Sequence, residues 1–308
     1  MTNTKVFAII VLYNPQMPVL QRLLESMINQ VHHMVLVDNS TQIPIKAQTQ
    51  QLLAQYQSSS YLDLEDNLGI ATAQNRGIKV AKNLHADFVL LLDQDSALPK
   101  TMVKDLMKAY MTLQNQAKKV ATVGPIFLDE KTGEVAKLIR HKGLRVNKLS
   151  PNLDLEFEHA DYVISSGSLI NLKTLDKIGL LREDLFIDWV DIEWGLRAKK
   201  LGYISYAIPK VVMKHSIGDE FVDFGEKKIN LHSDFRNYFI VRNSVYLALH
   251  SNLPKNFRII QLAKTPLYII FYSYHSKRKI YSLGLLTQGI YDGITKNMGK
   301  GYFYNTGL

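Results

Sequence analysis

The sequence predicts an α/β fold, with a central, mostly parallel sheet flanked by helices and a helical C-terminal region behind it. Three observations predict this. Short apolar runs alternate with stretches of helical spacing from Val6 to Phe127. Two of those runs end in an acid, Asp38 and Asp93. From about Asp234 the pattern changes to helical stretches rich in aromatic and basic residues.

The elements follow in order. Val6–Tyr13 is an apolar run that stops at Asn14-Pro15, a turn signal, and reads as a buried strand. Val19–Ile28 carries Leu20, Leu23, Leu24, Met27 and Ile28 at helical spacing. Met34–Val37 is a second strand, ending in Asp38-Asn39-Ser40. Tyr61–Leu64 is a third, followed by Asp66-Asn67-Leu68-Gly69. Ile70–Leu84 is a helix with Ile70, Ala73, Gly77, Val80, Ala81 and Leu84 on one face. Phe88–Leu92 is a buried strand ending at Asp93, Met102–Leu113 a helix and Val120–Phe127 a strand. Tyr162–Asn171 reads as a strand interrupted by Ser165-Ser166-Gly167-Ser168, Asp188–Leu201 as a helix, and Ile204–His215 as a strand interrupted by Pro209. Residues 1–232 form the expected α/β body and 233–308 the helical region.

Composition bounds the function. The chain has 308 residues, 46% of them hydrophobic, which is ample for a core. It has no Cys, which excludes disulfides, thiolate zinc sites and a cysteine nucleophile. The formal charge of +9 favours polyanionic partners. Most of the excess is at one end: residues 251–308 hold eight Lys and Arg against Asp292 alone, a net +7. The apolar start is too short for a signal-peptide core, and no stretch reaches about 18 uncharged apolar residues. The nearest run, Pro266–Tyr274, is nine residues long.

Ligands of an open parallel sheet bind beyond the carboxyl ends of its strands. Here that rim is acidic. A dinucleotide fingerprint or a phosphate loop is missing, since the first strand runs into Tyr13-Asn14-Pro15. Asp93-Gln94-Asp95 offers two carboxylates at i, i+2 past a strand, a pattern that holds a hard divalent cation or simply caps a turn. Asp188, Asp191 and Glu193 sit where acids also favour a helix start, and on a helix Asp188 and Asp191 would share a face. Trp189 and Trp194, the only tryptophans, flank them and could form a wall for a sugar face. His215, in Lys214-His215-Ser216, is a structural residue or a third ligand to a cation already held by carboxylate.

The order of these motifs is familiar. It runs Tyr13-Asn14-Pro15; Val37-Asp38-Asn39; Asn67-Leu68-Gly69-Ile70-Ala71 leading to Gln74-Asn75-Arg76-Gly77; Leu92-Asp93-Gln94-Asp95; Ser166-Gly167-Ser168; Trp189-Val190-Asp191-Ile192-Glu193-Trp194; and His215. Over about residues 5–245 the chain resembles the inverting family-two glycosyltransferases, with the GT-A fold and its Rossmann-like nucleotide-binding domain. Among them it is most similar to bacterial rhamnosyltransferases of surface polysaccharide (O-antigen, lipopolysaccharide) synthesis. The Arg236–Asn243 stretch resembles that subgroup too.

The resemblance implies roles. Tyr13 and Asp38 would meet the donor's base. Asn67, Asn75 and Arg76 would line the nucleotide and its phosphates. Asp93, Gln94 and Asp95 would form the D-x-D turn, with Asp95 the direct ligand of Mg2+ or Mn2+, Asp93 nearer the sugar and His215 a late metal ligand. The middle residue, Gln94, matters little on this reading, because its side chain is not the ligand. Asp191 would be the catalytic base, with Asp188 its rival. The donor would be dTDP-rhamnose, or a UDP-sugar of galactofuranose or glucose, and the acceptor a glycan or lipid-linked oligosaccharide. The protein would be cytoplasmic, with peripheral membrane contact or a homodimer contact through residues 254–308, where aromatics surround Lys277-Arg278-Lys279. Two rival classes are weaker. A sugar nucleotidyltransferase would show a glycine- and Lys/Arg-rich loop after the first strand. A nucleic-acid-binding protein would show a recognition motif, and none is present.

Overall fold

A computed structural model describes residues 4–129, 133–215, 220–224 and 227–303. The elements in chain order are β1 (Val6–Leu12), α1 (Met17–Met27), β2 (His33–Asp38), α2 (Ile43–Leu53), β3 (Ser59–Asp63), α3 (Ile70–Asn83), β4 (Phe88–Asp93), α4 (Met102–Asn115) and β5 (Val120–Asp129). There follow β6 (Leu138–Lys142), β7 (Arg145–Leu149), β8 (Glu158–Ala160), β9 (Ser168–Asn171), α5 (Leu172–Ile178), α6 (Val190–Lys200) and β10 (Ile204–His215). The hairpin β11 (Glu220–Phe224) and β12 (Lys227–Leu231) precedes α7 (Asp234–His250), α8 (Lys255–His275) and α9 (Lys279–Thr295).

Eight strands form one sheet in the order β3-β2-β1-β4-β9-β5-β10-β8. The pairs β3–β2, β2–β1, β1–β4 and β5–β10 are parallel, while β9 and β8 run against their neighbours. Register decides what the rim presents. Leu12 pairs with Asp38, Asp38 with Asp63, and Val11 with Asp93, so three acids line up at the carboxyl ends of adjacent strands. Strand side chains alternate between faces. Ala8, Ile10 and Leu12 pack with Leu20 and Leu24 of α1 and Leu106 of α4. Phe7 and Ile9 pack on the other face with Ala73 and Ile78 of α3 and Trp194 of α6. Gly77 lets α3 lie close to the sheet, since a Cβ there would stand 2.4 Å from Ile9.

Four sequence expectations change. The Tyr162–Asn171 strand shrinks to β9, because the serine hydroxyls and Gly167, at φ +81°, turn the chain before Ser168. The Ile204–His215 strand is continuous, and Pro209, which has no N–H to give, sits in a bulge where the register jumps between Ile208 and Val212. The α6 helix starts at Val190, because Asp188 and Trp189 have φ +61° and +67°. Asp188 therefore lies outside the helix and shares no helical face with Asp191. The helix α2 and the hairpins had no sequence signal; α2 buries only Thr49 and Leu53, too few for a period to show.

The run Pro266–Tyr274 lies inside α8. Among the described residues no helix is long and apolar enough to cross a membrane. α7 is buried almost all round, from Asn237 to Ala248, between the 183–189 segment and the helices α8 and α9. Residues 299–303 stitch it in place. Arg242 Nη1 donates to Gly299 O (2.6 Å), Gly299 N–H to Asp184 O (2.9 Å), Tyr302 N–H to the Tyr238 hydroxyl (3.0 Å), and Lys300 pairs with Asp66 (2.6 Å).

Candidate active site

The rim is built first by backbone capture. Gln94 Oε1 accepts from Tyr13 N–H (2.7 Å) and its Nε2 donates to Tyr13 O (3.2 Å), so one side chain ties the end of β4 to the end of β1. That leaves the Tyr13 ring exposed above the rim. The middle residue of Asp93-Gln94-Asp95 thus has a definite task, which the expectation that it matters little overlooked. Asp38 is fully buried, and its carboxylate accepts from Ser40 N–H (2.8 Å) and the Tyr61 hydroxyl (2.6 Å). Burial and the Asp38 hydrogen bond push the Tyr61 phenol far up, so it stays a donor. Asn39 bonds Gly69 O (3.1 Å) and Leu68 N–H (3.0 Å), and Asn67 Oδ1 takes Gly69 N–H (3.0 Å). Asn39, quoted in the sequence only as part of Val37-Asp38-Asn39, had no role assigned there, because its job is to hold backbone groups of the turn before α3.

Asn75 does not reach this rim. Its amide holds Leu181 in both directions (2.9 and 3.1 Å) and Glu183 (2.9 Å). Its neighbour Arg76 is exposed on the same helix.

The acids on the two sides meet through Ser165 and Ser166. Asp93 N–H donates to Ser166 Oγ (3.4 Å), which also bonds Ser96 Oγ (2.6 Å). The adjacent Ser165 N–H donates to Asp191 Oδ2 (3.3 Å). Two consecutive residues therefore join the Asp93 turn to Asp191, although the acids are 98 positions apart in the sequence. The crevice at Asp191, lined by Leu91, Ser165 and Trp194, holds about 10 Å³, room for one water.

Asp191 and Asp188 differ in electrostatics. Asp188 is paired to Arg236 (2.6 Å). Asp191 has no cation among the described residues; it accepts only from Ser165 and Ile192 (2.8 Å) backbone N–H groups. Burial raises its carboxyl to about 6, the two N–H groups pull it down, and the charges of Asp93 and Asp188 push it further up. Glu193 is bound to Arg197 (3.0 Å), which also holds Ile178 O and Leu180 O, so it is a structural acid. The tryptophans form no common wall. Trp194 is 3% exposed, with its Nε1 on Gly179 O (2.9 Å), and is a core residue. Trp189 donates to Ile240 O (3.0 Å) and meets Phe257 edge-on.

For a metal, the fit rests on Asp93 and Asp95. Asp95 is exposed and its carboxylate has no partner among the described residues. Two hard carboxylates two positions apart past a strand suit Mg2+ or Mn2+ completed by water and phosphate oxygens. No group of three His, Cys, Asp or Glu among the described residues is arranged to hold an ion. His215 closes β10, but its side chain lies outside the described residues.

A mostly parallel sheet flanked by helices, with acids at its carboxyl rim, is GT-A-like, and the comparisons with known proteins show a glycosyltransferase. Residues 7–177 match the family described as Glycosyl transferase family 2. The chain is 31% identical over 303 residues to "dTDP-rhamnosyl transferase RfbF" of Shigella flexneri, covering 98% of this chain and 99% of that protein. In fold it is similar to GalNAc-T7 crystallised with UDP, GalNAc and Mn2+ (TM-score 0.58, 13% identity, 89% of this chain and 57% of that one). It is also similar to S. aureus TarS 1-349 in complex with UDP-GlcNAc (TM-score 0.55, 17% identity, 93% and 82%). The chain belongs to glycosyl transferase family 2.

Proposed function

We propose that this glycosyltransferase moves L-rhamnose from dTDP-L-rhamnose to a hydroxyl of a glycan or lipid-linked acceptor, with inversion and with Asp191 as base. The observation that carries the reading is Asp191 itself, a carboxyl with no cation beside it among the described residues, raised to about 6 and tied through Ser165-Ser166 to the Asp93 turn. The choice of rhamnose rests on the relative from Shigella flexneri. The donor lies on the open rim, with its base near Tyr13 and Asp38 and its diphosphate near Asp93 and Asp95.

The bonds balance simply. The acceptor oxygen attacks the anomeric carbon as the carbon–phosphate oxygen bond breaks, and the electron pair leaves with the nucleoside diphosphate. Asp191 takes the acceptor's proton from the face opposite the leaving group. Mg2+ or Mn2+ held by Asp95 and Asp93 would stabilise the charge that develops on the diphosphate.

Thermal protection tests the donor. With Mn2+ present, dTDP-rhamnose at about a hundred times its Kd stabilises the protein by about 2.7 kcal/mol, a rise of several degrees in Tm. Asp95→Ala removes the Mn2+-dependent part of that rise. A UDP-sugar that protects better than dTDP-rhamnose overturns the donor, and an unchanged Mn2+-dependent rise in Asp95→Ala overturns the ligand assignment.

The reading also places the protein at an anionic membrane surface. α8 and α9 expose Ile270 (68%), Tyr274 (68%) and Ile280 (90%) beside Lys277, Arg278 and Lys279. Apolar side chains next to cations fit a lipid headgroup layer. Ile270→Glu combined with Ile280→Glu should lower sedimentation with phosphatidylserine vesicles several-fold; equal sedimentation refutes the placement.

A further inference from the structure

The backbone before α6 follows a path that L residues rarely take. Phe186, Asp188 and Trp189 have φ of +66°, +61° and +67°. Phe186 is the centre of a γ-turn closed by Ile187 N–H on Leu185 O (2.8 Å). Three left-handed residues within four positions persist only when the surroundings over-determine them. Two sources do so. From α3, Ile70 N–H binds Phe186 O (2.8 Å), and Gly69 presses so close that a Cβ there would stand 2.6 Å from Phe186.

From α7, Asn243 Nδ2 donates to three carbonyls of the path: Leu185 O (2.9 Å), Ile187 O (2.9 Å) and Asp188 O (3.2 Å). The Asn243 amide cannot turn away. Its Oδ1 accepts from Arg242 Nε (3.0 Å) and Nη2 (2.8 Å), which fixes the NH2 toward the loop. Both residues are fully buried.

We infer that Asn243, oriented by Arg242, is a positioning residue: it holds the 185–189 path and so sets where Asp191 stands relative to the Asp93 turn. Asp191 is the second residue of α6, and the helix begins where the left-handed path ends. If the path relaxes, the first turn of α6 winds back over Asp188 and Trp189 and carries Asp191 off Ser165. Asn243 touches neither Asp191 nor the rim, so it acts through the loop alone. This inference rests on Asp191 being the base.

Asn243→Asp in the full chain is the test. It keeps shape and volume, and Arg242 balances the new charge, but it loses the donors and sets oxygen against three carbonyl oxygens. A displacement on the order of 1 Å at a reacting group costs about a hundredfold. The expected result is a kcat drop of that order, with donor KM within about threefold and Tm within a few degrees. Asn243→Ser, which keeps one donor, should recover at least a tenth of the parent kcat. The inference is overturned if Asn243→Asp turns over within twofold of the parent, or if Asn243→Asp and Asn243→Ser lose kcat equally. Asp191→Asn separates the two readings: if it is inactive while Asn243→Asp is normal, only the positioning role falls.

Discussion

Asp191→Asn should lose sugar transfer by a factor of about 10² to 10⁴, the usual weight of a general base. The nucleotide should still bind, because Asp191 lies across the Ser165-Ser166 loop from the Asp93 turn and shares no hydrogen bond with it. Transfer assays and calorimetry with dTDP check both halves. The parent should also show an acid limb in its pH profile: the base works ionised, so turnover falls with unit slope as pH drops through about 6.

The same carboxyl carries a stability signature. Its folded value lies above the ordinary 3.8, so the folded state binds the extra proton between 3.8 and about 6. Stability from this group is full below that window and is lost as pH rises through it. Asparagine removes the loss. At pH 8 Asp191→Asn should be more stable than the parent by up to about 3 kcal/mol, and the gain should vanish near pH 4. Urea unfolding at the two pH values measures it. A variant that is both active and no more stable would mean that the base is elsewhere.

Arg242→Ala should be the most destabilising single change in the C-terminal region, costing about 3 to 5 kcal/mol. The guanidinium is fully buried and bonded to Asn243 Oδ1, Gly299 O and Leu185 O. It also stands 4.7 Å from the centre of the Phe239 ring. Alanine leaves Asn243 Oδ1 and Gly299 O without their donor and opens a cavity. Arg242→Lys should recover little, since an ammonium cannot reproduce the fork. A shift in urea midpoint equivalent to less than about 1 kcal/mol would show that the network is dispensable.

The parts of this site that were legible in the sequence are those written as regular elements. The runs ending in Asp38 and Asp93 marked the rim, because buried parallel strands are continuous apolar stretches and their ends are abrupt. Asp188, Asp191 and Glu193 were legible as a cluster of acids, and only the family resemblance singled out Asp191. What stayed hidden is local backbone geometry. Nothing in Phe186-Ile187-Asp188-Trp189 announces a run of positive φ, since Phe and Trp disfavour it and Asp188 alone is of a type that tolerates it; the constraint comes from Asn243 and Gly69, more than fifty and a hundred positions away. A helix therefore seemed to start at Asp188, and Trp194 seemed available to a sugar when the sheet had already claimed it. Gln94 was undervalued for the same reason: its partners are the backbone atoms of Tyr13, which no side-chain pattern records.

The stitching by residues 299–303 has a consequence for the order of events on the ribosome. The sheet and both acids leave the exit tunnel long before Gly299 does. Until then Arg242 lacks its Gly299 acceptor and Asp184 its Gly299 donor. Nascent chains halted before residue 299 should lack both hydrogen bonds, so the 185–189 path should be held less firmly in them than in chains that extend past it.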